Sequence, residues 1–283
     1  MKILAADVGG TNTRLIYAEV AANQKKILAE KTFASANYTG FYLLLDCFLE
    51  EFNIKDTIDA ACFAVAGPVK SGEASVTNLP WVISESQLQT DLEIPHVKLI
   101  NDFIAVAYGV STLANEDMLV LQQGQAGGVL ANRDVAVIGA GTGLGAAHLV
   151  WQKARYLAFS SEAGHVGFSP QNPLQYELLR WLDKQQDYVC LEMILSGSGL
   201  KRIYQFLSET EKFSESETVK KAMKTQDPAQ VITDAALAQR DELCQKTLEC
   251  FIEIYGAAAG DIVLHYYPLA ELYIAGGIGS KIS

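Results

Sequence analysis

The chain opens on Lys2-Ile-Leu-Ala-Ala-Asp7, turns at Val8-Gly9-Gly10-Thr11-Asn12, and resumes its apolar alternation through Thr13-Arg-Leu-Ile-Tyr17. This is the pattern of strand, glycine turn, strand. It recurs at Asp134-Val-Ala-Val-Ile138, turns at Gly139-Ala-Gly-Thr-Gly-Leu-Gly145 and continues from Ala146 to Trp151. One device used twice implies two related halves. Between the two hairpins the sequence predicts an amphipathic helix over about Phe41 to Phe52 and a buried strand from Ala60 to Ala66. A turn at Gly67-Pro68 follows, then a strand Val97 to Ile100 ending in Asn101-Asp102, and a helix from Phe103 to Val110. Beyond the second hairpin, helices are expected at Leu174 to Leu182, Leu191 to Leu195 and Leu200 to Leu207. The polar stretch Phe213 to Asp227 reads as loop-rich. One long periodic segment runs from Asp234 to Tyr267, with Leu237, Leu243, Leu248, Phe251, Ile252 and Tyr255 on its inner face and Pro268 ending it. A last strand, Glu271 to Ala275, meets Gly276-Gly277. Strands and helices interleave throughout, so the class is α/β. No composition break marks a linker; the division is placed after residue 102, giving a smaller domain over 1–102 and a larger one over 103–283.

The 283 residues are 49% apolar and 19% charged, enough for a sizeable core without disulfides or a structural metal. A formal net charge of −11 with no basic run disfavours a nucleic-acid partner. The five cysteines, Cys47, Cys62, Cys190, Cys244 and Cys250, form no CxxC pair, which argues against zinc and fits a reducing compartment. Asp7 and two glycines interrupt the first apolar run, so no signal peptide is read there. Val135 to Gln152 is uncharged and as long as a short membrane span, yet its four glycines suit a turn between strands better. The expectation is a soluble, cytoplasmic protein.

A phosphate cradle needs backbone N–H groups converging on one point, which glycine permits. Gly9-Gly10 and Gly141–Gly143 meet that need, followed or interrupted by Thr11, Asn12 and Thr142. The Walker pattern GxxxxGK[ST] is absent. Gly141 to Ala146 matches GxGxxA, with Glu162 near the position of a ribose-binding acid, but the residues that follow read as a strand where a dinucleotide site requires a helix. Either glycine cluster, taken alone, also fits a plain tight turn. At Asn101-Asp102 an apolar strand delivers a carboxylate at its carboxyl end, where ligands of open α/β sheets sit. Asp102 there suits a base that accepts the proton of an attacking hydroxyl, and equally suits a cap on the following helix. Glu162-Ala-Gly-His165 places an acid and an imidazole on a glycine-containing turn, and Glu192 opens a segment running to Ser196-Gly-Ser-Gly199. Such mixed partners match the hydroxyls of a neutral sugar.

Asp7-Val-Gly-Gly-Thr-Asn12, Thr77-Asn78-Leu-Pro-Trp81, Leu99-Ile-Asn-Asp-Phe103, Gly139 to Gly145, Glu162 to His165, Leu195 to Gly199 and Ile274-Ala-Gly-Gly277 together resemble the bacterial glucokinases over essentially the whole chain. The resemblance implies the two-domain actin-like ATPase (ribonuclease H-like) fold with an active-site cleft between the domains. It also implies MgATP-dependent phosphorylation of glucose on its 6-hydroxyl. Asp102 then corresponds to the catalytic base, and Asn101, Glu162, His165, Glu192 and Asn78 to sugar ligands. Ala6, Asp7, Val8, Gly9, Gly10, Thr11, Gly141, Thr142, Gly276 and Gly277 correspond to the ATP site, with Asp7 near Mg2+ through water or phosphate. A homodimer is implied in the same way.

Two departures stand out. Related kinases of the repressor/open-reading-frame/kinase group carry a cysteine-rich zinc motif after the Glu-Gly-His segment; here Val166-Gly-Phe-Ser-Pro170 follows, so the non-zinc branch is expected. Relatives continue some tens of residues past the Gly276-Gly277 motif into a helix that returns to the N-terminal domain, whereas this sequence stops at Ser283. The expectation is a shortened chain, or one lacking part of its nucleotide site. Two rival functions stay open from sequence: a kinase for another hexose, and a sugar-sensing protein of the same fold with weak catalysis.

Overall fold

A computed structural model of the chain describes residues 1–21, 24–55, 57–124, 133–210, 213, 215–267 and 271–283. It is a mixed α/β structure of two compact units, residues 1–106 and 107–283.

In the first unit β1 (Lys2–Val8), β2 (Asn12–Ala21) and β3 (Gln24–Ala34) form a meander, followed by α1 (Phe41–Glu51) and β4 (Ala60–Val65). The short strands β5 (Val69–Lys70), β6 (Glu73–Ser75) and β7 (Val82–Ser84) precede α2 (Glu85–Asp91), β8 (Val97–Asn101) and α3 (Asp102–Val110). The main sheet runs in the order β3-β2-β1-β4-β8 and the short strands pair as β5-β6-β7. Strands β1, β4 and β8 are parallel, while β2 is antiparallel to both β1 and β3. Alternation along β1 and β4 sends Leu4, Ala6, Val8, Ala61, Phe63 and Val65 to one face, where α1 packs with Phe41, Leu44, Leu45 and Phe48. Phe41 meets Phe63 edge-on at 5.2 Å between ring centroids.

The second unit begins with β9 (Val135–Ala140), β10 (Leu144–Gln152) and β11 (Arg155–Ser161). Helices α4 (Pro173–Asp183), α5 (Gly197–Glu209), α6 (Glu217–Ala222), α7 (Pro228–Leu237) and α8 (Glu242–His265) follow, then β12 (Glu271–Ala275) and α9 (Gly276–Ile282). Its sheet has the order β11-β10-β9-β12, with β9 and β12 parallel and the hairpin neighbours antiparallel. The pattern β3-β2-β1-β4 is thus repeated strand for strand, and β8 extends only the first sheet.

The uncharged stretch Val135 to Gln152 is the hairpin β9–β10, and none of the described helices is long and apolar enough to cross a membrane. Several segments depart from the sequence expectation. Leu191 to Leu195 is a single 3-10 turn, Leu191–Met193, because Ser196 accepts the Gly199 N–H and starts α5 there. The polar stretch after Phe213 contains α6, anchored by buried Val219. The segment drawn as one helix from Asp234 is two: α7 begins at Pro228, capped by Asp227, and α8 at Glu242, capped by Asp241. Gln239 adopts a left-handed backbone (φ 53°) between them, a break that apolar periodicity does not register. Pro268, expected to end that segment, lies outside the described residues.

Candidate active site

The parallel strands of the first unit end in register: Val8 lies beside Val65, and Val65 beside Asn101. Three chain segments therefore leave one edge of the sheet together, and Asp7, Gly9-Gly10, Gly67 and Asn101-Asp102 cluster there. Gly9 N–H donates to the Asn12 carbonyl at 3.0 Å, closing the first turn. Buried Ser35 donates to the Gly9 carbonyl at 2.7 Å and lies 3.0 Å from the Thr13 hydroxyl, supporting the turn from beneath. A Cβ at Gly10 would stand 2.9 Å from the Thr77 carbonyl, so glycine is what lets the Thr77-Asn78 segment approach. Asn78 is exposed there with a left-handed backbone, φ 65°. Ala6 and Val8 are core residues of β1, leaving only main-chain atoms for any ligand, whereas Asp7 and Thr11 are exposed.

Asn101 donates its amide N–H to the Gly67 carbonyl at 3.3 Å, and its Oδ1 accepts the Phe103 N–H at 2.9 Å. The capping position before α3 thus falls to Asn101; Asp102 is the first residue of the helix. Asp102 also accepts the Phe103 N–H through Oδ1, at 2.9 Å. Its half-buried carboxyl is raised above the ordinary aspartate range by desolvation first. The Phe103 N–H opposes that shift, Asp7's charge adds to it and the Asn101 amide again opposes it. The Asp7 carboxyl, exposed at the end of β1, is also raised by desolvation, with the Arg14 guanidinium pulling it down.

In the second unit the turn after β9 is closed by the Gly141 N–H donating to the Gly143 carbonyl at 2.8 Å. The first residue of α5 joins it: Gly197 N–H donates to the Gly141 carbonyl at 2.9 Å. Glu192 reaches the same turn from the 3-10 segment, its Oε2 accepting the Leu144 N–H at 2.9 Å. Glu162 and His165 flank a 3-10 turn, with Nδ1 to Oε2 at 3.5 Å, and both are exposed. The Leu191 N–H donates to the Val166 carbonyl at 2.9 Å, which joins the Glu162–His165 and Glu192 segments side by side. Gly276 and Gly277 open α9 at the carboxyl end of β12, beside the end of β9. Gly276 has φ +85°, and its α-carbon packs so closely on the Ala140 peptide that no side chain fits. Sequence reasoning missed Tyr255 as a part of this arrangement: its hydroxyl accepts the Ala140 N–H at 3.1 Å, one residue beyond the last β12 pair, Gly139–Ala275. Its place on the inner face of α8 was legible; the far end of its hydrogen bond, 115 residues away, was not.

Among the described residues no group of three or more His, Cys, Asp and Glu gathers to hold a metal by itself, and Asp7 offers one exposed carboxylate beside the first glycine turn.

Comparison with solved structures places the chain among the sugar kinases. The crystal structure of glucokinase from an Antarctic psychrotroph is 34% identical, with a TM-score of 0.80 over 99% of this chain and 84% of that one. A ROK-family glucokinase from Streptomyces griseus, solved with glucose and AMPPNP, shares the fold at 18% identity and a TM-score of 0.63, covering 99% and 85%. In sequence, the glucokinase of Trichormus variabilis is 39% identical over 99% of this chain and 85% of its own length. The glucokinase family model matches residues 4–283, and the chain belongs to that family.

Proposed function

We propose that this chain is a glucokinase, transferring the γ-phosphoryl group of ATP to the 6-hydroxyl of glucose. Family membership over residues 4–283 supports the activity and ATP use. The observation that carries the residue assignment is the register Val8–Val65–Asn101, which puts a half-buried carboxylate, Asp102, at the same sheet edge as the Gly9-Gly10 turn.

In this reading Asp102 is the base. It takes the proton of the 6-hydroxyl as that oxygen attacks, and its raised affinity for protons brings its basicity nearer to the task. Asn101 orients it and, with Asn78, Glu162, His165 and Glu192, binds the sugar. The main chain of Ala6 and Val8 to Thr11, the turn Gly141-Thr142, and Gly276-Gly277 receive ATP. Asp7 holds Mg2+ through water or phosphate. The cation, when bound, neutralises charge on the transferring group. The fold is taken as that of the actin-like ATPases, with a smaller domain over 1–102, a larger one over 103–283, and the reaction in a cleft between them that closes on the sugar. A cytoplasmic location follows from the unpaired cysteine pattern and the lack of a readable signal peptide; a homodimer comes from the resemblance alone, and sedimentation tests it.

The deciding experiment is a coupled ADP-release assay with MgATP across a panel of hexoses. Turnover with glucose, exceeding that with mannose, fructose and amino sugars, is the expected result. A preference for another hexose overturns the sugar assignment. Glucose binding without ADP release overturns the catalytic one.

A further inference from the structure

Glu192 has a second connection that its place among the proposed sugar ligands does not require. One carboxylate oxygen, Oε2, holds the Leu144 N–H at 2.9 Å, while Oε1 has no hydrogen-bond partner among the described residues. The space in front of the carboxylate is the space a side chain at residue 143 would fill, so Gly143 is what lets the acid reach the turn. Five residues on, Gly197 N–H grips the other side of that turn at the Gly141 carbonyl. Segment 192–197 thus holds both ends of the glycine turn. The same segment is tied to the Glu162–His165 turn through Leu191 and Val166.

We propose that Glu192 is a positioning residue for the nucleotide: it clamps the turn 141–143 in the shape that receives phosphate, while its other oxygen serves the sugar. The inference rests on the sugar-kinase reading above and extends it. Sugar and nucleotide then share one carboxylate, and order imposed by either ligand is returned as affinity for the other, since coupling between sites is reciprocal.

The test separates the hydrogen bond from the charge. Glu192→Gln keeps an acceptor for Leu144 and removes the charge; Glu192→Ala removes both. Two readouts are taken without sugar: hydrogen exchange at the Leu144 amide with no ligand, and calorimetry with MgAMPPNP. In Glu192→Ala, protection should fall at Leu144 but not in β9 at Ala136 to Ile138, and nucleotide affinity should drop by up to about tenfold, the scale of one intramolecular hydrogen bond. Glu192→Gln should retain both. Unchanged Leu144 protection in Glu192→Ala overturns the clamp, as does equal loss of affinity in the two variants. Loss of protection throughout β9 shows a general structural role and overturns it as well. Absence of AMPPNP binding by the parent chain counts against the kinase reading, while the ligand-free exchange still decides the clamp.

Discussion

Asp102 is asked to ionise where its surroundings resist it. Desolvation and the nearby charge of Asp7 raise its pKa, against the Phe103 N–H and the Asn101 amide. A base must be unprotonated to act, so the acid limb of kcat/KM should lie above the ordinary aspartate range. Asp7→Asn removes a raising charge and should move that limb to lower pH, whatever it does to the maximal rate. A pH profile that does not move would unseat Asp102 as the group reported. The same shift has a sign for stability. The native state holds this proton more tightly than the unfolded chain, so the ionised group costs stability at neutral pH. That cost fades as pH falls through the folded pKa. Asp102→Asn should therefore leave Tm equal or higher while lowering kcat by ~10²–10⁴-fold, with glucose still bound in calorimetry. Near-parental turnover would return Asp102 to an ordinary first residue of α3.

At the scale of elements, the turns matter because of what stops the strands beside them. Strand β9 loses β12 as a partner after Ala275, where Gly276 swings the chain into α9, and the Ala140 N–H is taken up instead by Tyr255. Burial pushes that phenol up to about 12, so it stays protonated and also donates to the Ile138 carbonyl at 3.4 Å. Tyr255→Phe keeps the ring packing against Phe251 but orphans a buried donor, a loss of about 1–3 kcal/mol. Urea denaturation should register it, together with a raised KM for MgATP and a nearly unchanged KM for glucose. Ser196 is likewise an element-level part: buried, it accepts the Gly199 N–H at 3.1 Å at the start of α5. Ser196→Ala should cost ~1 kcal/mol, measured in the same way. Unchanged stability in both variants would show that these ends are held by other contacts.

For the whole molecule, the prediction concerns ligand linkage. A sugar that binds only the native chain at 100 times its Kd should add about 2.7 kcal/mol of stability. Glucose should therefore raise Tm by several degrees in a thermal shift, and epimers that are not substrates should fall behind it. Equal shifts for all hexoses would contradict a glucose-selective site. The repeated order β3-β2-β1-β4 and β11-β10-β9-β12 places each glycine turn in the same position, after the third strand of that order. The first sheet alone gains β8, and with it Asn101 and Asp102.

Much of this was legible in the chain itself. Period-two alternation around glycine turns identifies the hairpins, because side chains of a strand alternate between faces. The acids that follow two of the apolar runs, Asp7 and, after Asn101, Asp102, mark where polar groups leave the sheet. Motifs at Asp7, Thr77, Asn101, Gly139, Glu162, Leu195 and Gly276 point to the family from the sequence alone. What local pattern could not supply is partnership across sequence distance. That Asn101 rather than Asp102 caps α3 depends on side-chain rotamers, and both residue types cap well. The break between α7 and α8 lies in a left-handed residue, Gln239, whose side chain announces nothing. The Glu192–Leu144 and Tyr255–Ala140 hydrogen bonds join residues 48 and 115 positions apart, and only tertiary packing decides which buried N–H each oxygen must satisfy.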